Sequence, residues 1–283
     1  MKLPYYINNE EIVFEAPEDT HFFYGEKVCL SQKFNDICKD CDWYDEGYTI
    51  LDFTKYIDIN LIKKLLRNII IKIISEVSPK IDLSNFELNK YHKYIKNHSQ
   101  HLEISKRAKR LYFTKDEFPD QKIIKFIENA IQKKLSFSPN NSDFVHWVIV
   151  RINPPYSKGF NPAHKDIYEE FDMNGFAPQM VNSWIPICGV NKKTGLPIAP
   201  KTHLLNEDLI LRTRCGSTLE GQNYSVNCIK SWNGDSSMKL IYPKEGEMLL
   251  FSSHLIHGLG VNNNDDETRI SLEFRLHENN NID

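Results

Sequence analysis

Residues 246–258 read GEMLLFSSHLIHG. The apolar run from Met248 to Phe251 is short, follows a glycine and ends at two serines, which predicts a short buried β-strand. A second strand is predicted at residues 269–276, RISLEFRL, because its apolar residues alternate strictly with polar ones and fall on one face. That apolar face consists of Ile270, Leu272, Phe274 and Leu276. Short strands of this kind favour a β-sheet core.

The region before these strands predicts two helices and one more strand. The first helix is predicted from Ile59 to Val77, with Asp58 as its N-cap. Its buried face is predicted to contain Leu61, Leu65, Ile69, Ile73 and Val77, widened by Ile62, Leu66 and Ile70. The second helix is predicted from residue 120 to about residue 135, with Ile123, Ile124, Ile127 and Ile131 turned inward. Residues 144–152, FVHWVIVRI, are almost continuously apolar, which predicts a strand covered on both faces.

The composition is that of an ordinary globular chain. Of its 283 residues, 41% are hydrophobic, and 35 basic residues against 38 acidic ones give a net charge of −3. This charge argues against nucleic acid as a partner. No apolar run approaches the ~20 residues that span a bilayer, and no secretory signal opens the chain, so we expect a cytoplasmic protein without a membrane partner. The six cysteines are scattered, and we interpret the Cys38-x-x-Cys41 spacing as coincidence because no second pair follows.

A possible metal site is indicated by His164 and Asp166. Residues two apart on an extended segment project to the same face, so both side chains can bind one ion while Lys165 points away. The third ligand must come from a distant strand, and the strand at residues 247–252 runs into His254 and His257. These histidines are three positions apart and would face opposite sides of a strand, so only one reaches the ion. Two imidazoles and a carboxylate leave three positions open, as a non-haem Fe(II) oxygenase requires.

Arg269 makes the metal interpretation more specific. Taken singly, each residue of the set is better explained as a loop cap or a hydrogen-bonded histidine. An oxygenase that uses 2-oxoglutarate, however, must hold a carboxylate away from the iron, and the rigid fork of an arginine pairs with both carboxylate oxygens. Arg269 shares its strand face with Ser271, whose hydroxyl lies about 7 Å along the strand and can donate to the same carboxylate.

Several segments resemble the phytanoyl-CoA dioxygenase family. Residues 246–251, 257–262 and 269–275 are similar to its C-terminal signature. Residues 182–187, NSWIPI, and 194–203, TGLPIAPKTH, resemble its tryptophan-bearing strand and the Gly-Leu…Pro-Gly-Ser-His segment that follows. Residues 47–51, GYTIL, resemble its N-terminal opening. The resemblance covers residues 144 to 276 and is faint before them.

The resemblance implies a fold that is mainly β with flanking helices and has a double-stranded β-helix (jelly-roll) core, which also suits the run of short strands. We expect a single oxygenase domain over residues 1–283. Residues 1–142 are expected to form a mostly helical and irregular part packed on the core, and residues 143–276 the catalytic jelly roll.

The resemblance also implies the site. It selects His257 over His254, so that His164, Asp166 and His257 hold Fe(II), with 2-oxoglutarate on two open positions and dioxygen on the last. Arg269 pairs with the remote carboxylate of 2-oxoglutarate and Ser271 assists. Trp184 is expected to line the co-substrate pocket, although a plain core position explains it equally well, and Asn182 shares its strand face.

The expected activity is hydroxylation of a small-molecule substrate with release of succinate and CO2. Asp166 stands where related halogenases carry a small residue, which favours hydroxylation over halogenation. The same site also suits desaturation, cyclisation or epimerisation. The alternative from another class is a non-catalytic jelly-roll protein that binds a small ligand, but Arg269 and Ser271 have no use in a structural metal site.

Two features bear on the substrate and on access to the site. The run from Lys106 to residue 110 is basic; such a run is usually a solvated helix face, but at a pocket mouth it would favour an anionic substrate. Residues 206–235 are polar and contain glycines, and we interpret them as a long loop and a candidate lid.

The family's Pro-Gly-Ser-His turn is replaced here by Pro200-Lys201-Thr202-His203, which lacks the glycine. The sequence carries no signal for an oligomeric state.

Overall fold

The computed structural model describes residues 1–109, 111–114, 117–137, 144–157 and 161–279, and these residues form a mainly β structure whose longer helices lie in the first half. In chain order the strands are β1 (Lys2–Ile7), β2 (Glu10–Glu15), β3 (Phe23–Tyr24), β4 (Tyr48–Asp52), β5 (Leu111–Thr114), β6 (Leu135–Ser136), β7 (Phe144–Asn153), β8 (Met180–Cys188), β9 (Leu196–Ala199), β10 (Ile210–Arg212), β11 (Ser217–Leu219), β12 (Gln222–Tyr224), β13 (Ile229–Trp232), β14 (Ser237–Ile241), β15 (Glu247–Ser252), β16 (Ile256–His257) and β17 (Arg269–Glu278). The α-helices are α1 (Leu30–Lys33), α2 (Ile59–Val77), α3 (His98–Ala108), α4 (Asp120–Ile131) and α5 (Tyr168–Asn174). Short 3-10 helices cover Leu88–Tyr94, Thr202–Leu204 and Glu207–Leu209.

Two sheets make the core. The major sheet has the order β4-β15-β8-β17-β7-β5, with β6 paired to β17, and all its pairs are antiparallel. The minor sheet has the order β16-β9-β14-β1-β2, in which β1 and β14 run parallel. An apolar cluster that draws Trp184, Leu249 and Phe251 from the major sheet and Ile198 from the minor one shows that the two sheets pack face to face.

The two faces of β17 pack against different parts of the structure. Its apolar residues, from Ile270 to Leu276, lie in the cluster that the major sheet shares with the helices. The helical residues of that cluster include Ile62 and Leu66 of α2, Ile104 of α3 and Ile127 of α4. Because side chains alternate along a strand, the polar residues of β17 turn to the opposite face, which is the interior between the two sheets.

The helix α2 has the predicted bounds and most of the predicted buried face. Asp58 caps it as expected, accepting a hydrogen bond from the backbone N–H of Asn60 at 2.9 Å. Its buried residues are Ile59, Ile62, Leu66, Ile70, Ile73 and Ile74. Ile62, Leu66, Ile70 and Ile73 were predicted in this face, whereas Leu61, which was also placed in it, is 62% exposed. A helix that is apolar over a wide arc does not define the edges of its buried face, and the packing partner decides which edge residues are covered.

Two other boundaries differ from the prediction. The helix α4 ends at Ile131, because Gln132 adopts a left-handed conformation and donates its backbone N–H to Glu128 O; Leu135 then belongs to a strand. The segment 206–235 is not an irregular loop. It contains β10 to β13, and β10 pairs with β3 near the start of the chain. No helix among the described residues is long and apolar enough to cross a membrane.

Candidate metal centre

The two histidines of the predicted site are held side by side by their own backbones. His164 donates its backbone N–H to His257 O at 2.9 Å, and His257 returns the same bond to His164 O at 3.0 Å. This bridge brings the loop before α5 against the end of β16 and sets the two imidazole centroids 4.4 Å apart. Gly258 permits the approach, because a Cβ at this position would lie 2.3 Å from the carbonyl oxygen of Pro162.

Asp166 completes a group that can hold a metal ion. One oxygen of its carboxylate lies 3.4 Å from His164 Nε2 and the other lies 3.7 Å from His257 Nε2. The ligand atoms of the three residues all lie within 4.8 Å of one another, and the three side chains are almost fully buried. Two nitrogens and one oxygen at this separation suit a single first-row transition-metal ion with open positions.

Hydrogen bonds to backbone carbonyls fix the two imidazoles so that each Nε2 faces the position that an ion would occupy. His164 Nδ1 lies 2.6 Å from Pro162 O, and His257 Nδ1 lies 3.0 Å from Leu255 O. A carbonyl oxygen only accepts, so each Nδ1 carries the hydrogen and each Nε2 presents its lone pair to the site. Burial lowers the pKa of His257 to about 4, which keeps its imidazole neutral.

The carboxylate of Asp166 is held ionised. Burial raises its pKa, but the guanidinium of Arg275 and the electrostatic effect of the two imidazoles lower it, and the net result is a pKa well below the usual range. Arg275 donates two hydrogen bonds to it, from Nη2 to Oδ1 at 2.6 Å and from Nε to Oδ2 at 3.2 Å. Asp166 and His257 therefore carry the protonation states that metal binding requires.

Arg269 lies on the interior face of β17 and is buried. Its Nη1 donates to Gly195 O at 3.0 Å, its Nη2 donates to Asn153 Oδ1, and its Nε has no partner. Within the described part of the chain, no carboxylate forms an ion pair with it. Burial lowers the pKa of this guanidinium to about 10. A buried cation without a counter-charge is costly, so the arrangement fits a place where an anion binds.

The remaining predicted residues share this interior face. Ser271 is fully buried and its hydroxyl has no hydrogen-bond partner. Both polar atoms of the Asn182 carboxamide and the Nε1 of Trp184 are likewise buried without partners. The Trp184 ring lies 5.8 Å from the guanidinium carbon of Arg269 and also belongs to the apolar cluster between the sheets. Such unpaired polar atoms in a protein interior mark positions that a ligand can satisfy.

Asn182 and Trp184 lie on the same face of β8 but have different neighbours. Asn182 stands opposite Phe251 on one side and Arg275 on the other. Phe251 contacts the ring of His257 at 4.8 Å between centroids, and Arg275 contacts Asp166. Asn182 therefore lies between two residues that contact the candidate metal ligands, whereas Trp184 lies beside Arg269.

Two features of the sequence analysis lie apart from this group. His254 is buried but does not belong to the group of His164, Asp166 and His257, and burial lowers its pKa to about 3. In the basic run, Arg107 forms ion pairs with Glu103 and Glu76 on the surface of α3, which corresponds to a solvated helix face. The last residue of that run, Arg110, lies outside the described residues.

Three residues that support the site, Arg275, Asn153 and Glu207, were missed by the sequence analysis. Arg275 was detectable, because it follows Arg269 by an even number of positions on the same strand and so shares its face. Asn153 contacts Arg269, and Glu207 pairs with Lys165. In both cases the two partners are far apart in the sequence, so no local pattern indicates the contact. The missing glycine of the turn after Pro200 is replaced by Lys201 in a left-handed conformation, with φ 66°, so the turn is kept without it.

No protein-family model and no curated protein matches the sequence. Among solved structures, the fold is similar to that of EctD from S. alaskensis with 2-oxoglutarate and 5-hydroxyectoine, with a TM-score of 0.54 and 12% identity over 94% of this chain and 86% of that chain. The apo form of EctD gives a TM-score of 0.53 and 11% identity over 94% and 87%. AviO1 from Streptomyces viridochromogenes Tue57 is more distant, at a TM-score of 0.48 and 11% identity over 83% and 91%. The likeness to EctD confirms the predicted fold, a jelly roll with flanking helices.

Proposed function

We propose that the protein is a non-haem Fe(II)- and 2-oxoglutarate-dependent dioxygenase. The observation that carries this proposal is the buried guanidinium of Arg269, which has no carboxylate partner among the described residues and lies on the interior face beside unpaired Ser271. A site that held only a structural metal ion would gain nothing from an unpaired buried cation. The proposal is also supported by the similar fold of EctD, whose structure contains 2-oxoglutarate.

The donor set fits Fe(II). His164, Asp166 and His257 would hold the ion through two imidazole nitrogens and one carboxylate oxygen, which lie within 4.8 Å of one another. Bound Fe(II), with 2-oxoglutarate and dioxygen, would supply the oxidising chemistry that hydroxylates a small-molecule substrate and releases succinate and CO2.

The protein's own residues would bind and orient the co-substrate. Arg269 would pair with a carboxylate of 2-oxoglutarate through its free Nε and its Nη atoms, and the Ser271 hydroxyl would donate to the same group. Trp184 would form one wall and, with Leu249, exclude water from this part of the interior. Asn182 would contact a ligand group close to the ion, because its unpaired carboxamide lies between two residues that contact the candidate metal ligands.

Hydroxylation is the outcome we infer first. Asp166 is present as a third ligand where the resembling halogenases have a small residue. Desaturation, cyclisation and epimerisation use the same residues and would be distinguished by product mass. We further infer that the chain is a member of the phytanoyl-CoA dioxygenase family, on the resemblance of residues 144 to 276.

One experiment tests the proposal directly. Metal-free protein is given Fe(II) and 2-oxoglutarate without oxygen, and the visible spectrum is recorded; succinate is then measured after air is admitted without any prime substrate. We expect a weak visible charge-transfer band and slow succinate formation. If iron binds in a stoichiometric amount but neither signal develops, the protein is a binding module and the proposal is wrong.

A further inference from the structure

The carboxylate of Asp166 has a partner that the metal site itself does not provide. Asp166 is 5% exposed, and a carboxylate at that depth requires compensation for the hydration that it has lost. The guanidinium of Arg275 supplies it through two hydrogen bonds, at 2.6 and 3.2 Å, one to each oxygen. Arginine is suited to this pairing because its planar fork matches the plane of a carboxylate.

The pairing leaves the side of the carboxylate that faces the histidines free. Each oxygen has two lone pairs, and Arg275 uses one on each. The same two oxygens lie 3.4 Å from His164 Nε2 and 3.7 Å from His257 Nε2. The guanidinium therefore fixes the plane of the carboxylate while a lone pair on each oxygen remains for an ion between the imidazoles.

The strand β17 fixes Arg275 in turn. Its neighbours Phe274 and Leu276 are buried in the cluster between the major sheet and the helices, which holds the backbone at this point. The side chain of Arg275 is 37% exposed, so it connects the buried carboxylate to the solvent side of the site. A rigid strand that carries the outer partner of a ligand is the arrangement that keeps a metal site in its binding geometry.

We propose that Arg275 is a positioning residue that holds Asp166 in the orientation that binds the metal, and that the affinity for the ion depends on it. This inference rests on the proposed function, because it takes Asp166 as a metal ligand. Removal of such an outer-shell partner typically weakens metal binding by roughly 10- to 100-fold. A simple effect of charge would act in the opposite direction, since removing a nearby cation reduces repulsion of the incoming ion.

The test is the binding of Mn(II) alone to metal-free protein, measured by calorimetry for the wild type, Arg275→Gln, Arg275→Lys and Arg151→Gln. Arg151 is the matched control, because it lies on the same interior face and pairs with Glu273 at 2.9 Å without contacting Asp166. We expect the dissociation constant to rise roughly 10- to 100-fold in Arg275→Gln. Arg275→Lys should fall between that variant and the wild type, and Arg151→Gln should stay close to the wild type.

The visible spectrum of the Co(II) form gives a second readout, since Arg275→Gln should alter the coordination bands and Arg151→Gln should not. Unchanged or tighter Mn(II) binding in a folded Arg275→Gln protein overturns the inference, as does equal weakening by Arg151→Gln. If Arg275→Gln fails to fold, Arg275→Lys decides: wild-type affinity overturns the inference. Wild-type protein that binds no Mn(II) contradicts the proposed function instead, so the two failures are distinguishable.

Discussion

The ammonium of Lys165 lies 3.0 Å from the carboxylate of Glu207, and both side chains are almost fully buried. Lys165 lies in the sequence between His164 and Asp166, two of the candidate metal ligands, so its ion pair anchors the segment that carries them. Glu207 also accepts a hydrogen bond from the Tyr168 hydroxyl at 2.7 Å. The segment 206–235, expected from its sequence to be a lid, thus fixes the segment that carries His164 and Asp166.

We predict that Glu207→Gln destabilises the metal-free protein by roughly 3 kcal/mol or more, because it leaves the buried Lys165 charge without a counter-charge. Denaturation by urea gives the free energy of unfolding. The matched control is Glu46→Gln, which breaks the exposed pair of Lys201 with Glu46 at 3.1 Å and should change stability by less than about 1 kcal/mol. The double variant Lys165→Met/Glu207→Leu should recover much of the loss. Equal effects of Glu207→Gln and Glu46→Gln would refute the buried-pair argument.

Arg269→Ala is predicted to weaken the binding of 2-oxoglutarate while the affinity for the metal stays near its wild-type value. Hydrogen bonds to a charged group contribute about 1.5–3 kcal/mol, which corresponds to roughly 10- to 150-fold in the dissociation constant. The charge-transfer band measures the co-substrate, and Mn(II) calorimetry measures the metal. The surface variant Arg107→Ala serves as a control for loss of a cation. A parallel loss of both affinities in Arg269→Ala would contradict the role given to this residue.

His257→Ala and His254→Ala are expected to differ in metal content, although both histidines are buried and only three positions separate them. Only His257 belongs to the metal-binding group. His257→Ala should reduce the affinity for Mn(II) by at least a factor of 100, the upper end for loss of a supporting residue, because it removes a ligand outright. His254→Ala should bind one ion per chain. If the His254 variant lost the metal and the His257 variant kept it, the assignment of ligands would have to be exchanged.

Stability is predicted to fall as the pH drops below about 6, partly through His203. Burial lowers the pKa of His203 in the folded protein to about 4, against about 6.5 for a free histidine. Because the pKa of His203 is lower in the folded protein, the unfolded chain binds the proton more tightly, and the folded state is favoured most at a pH where the imidazole is neutral in both states. As the pH falls from 6.5 towards 4, the unfolded chain takes up the proton first, so this contribution is lost.

The measurement is the free energy of unfolding of the metal-free protein at pH 7 and pH 5. Between these values the wild type should lose about 2 kcal/mol more than His203→Gln does. The exposed His21 offers the control, and His21→Gln should follow the wild type. A His203→Gln protein with the same pH dependence as the wild type would show that this histidine does not contribute.

Local patterns were sufficient for much of the fold. Strict alternation predicted the two faces of β17, and the position of Asp58 predicted the start of α2, because both signals act within a few residues. The exposure of Leu61 in α2 was not predictable, since the apolar arc of this helix is wide and a sheet distant in the sequence decides which of its edge residues are covered. The strands within residues 206–235 were also missed, because β10 pairs with β3 at the other end of the chain.

In the candidate site, as in the fold, the sequence predicted local relationships but not those that depend on distant segments. The spacing of His164 and Asp166 indicated a shared face, but the choice between His254 and His257 depends on the turn that separates β15 from β16. Spacing alone treats both residues as part of one strand and cannot represent this turn. The buried partner of Lys165 comes from a segment about forty residues later, and only the folded chain brings the two together.

The parallel pairing of β1 with β14 has a consequence for how the protein is made. Tyr6 and Ser237 are strand partners although almost the whole chain separates them, and their sheet also carries His257 at its edge. On the ribosome, β1 can pair with β2 at once, but its other edge must wait for β14 until most of the chain has emerged. Such long-range pairing slows folding and leaves a strand edge open to other chains in the meantime. Chaperone binding at this strand during synthesis would protect the nascent chain from aggregation.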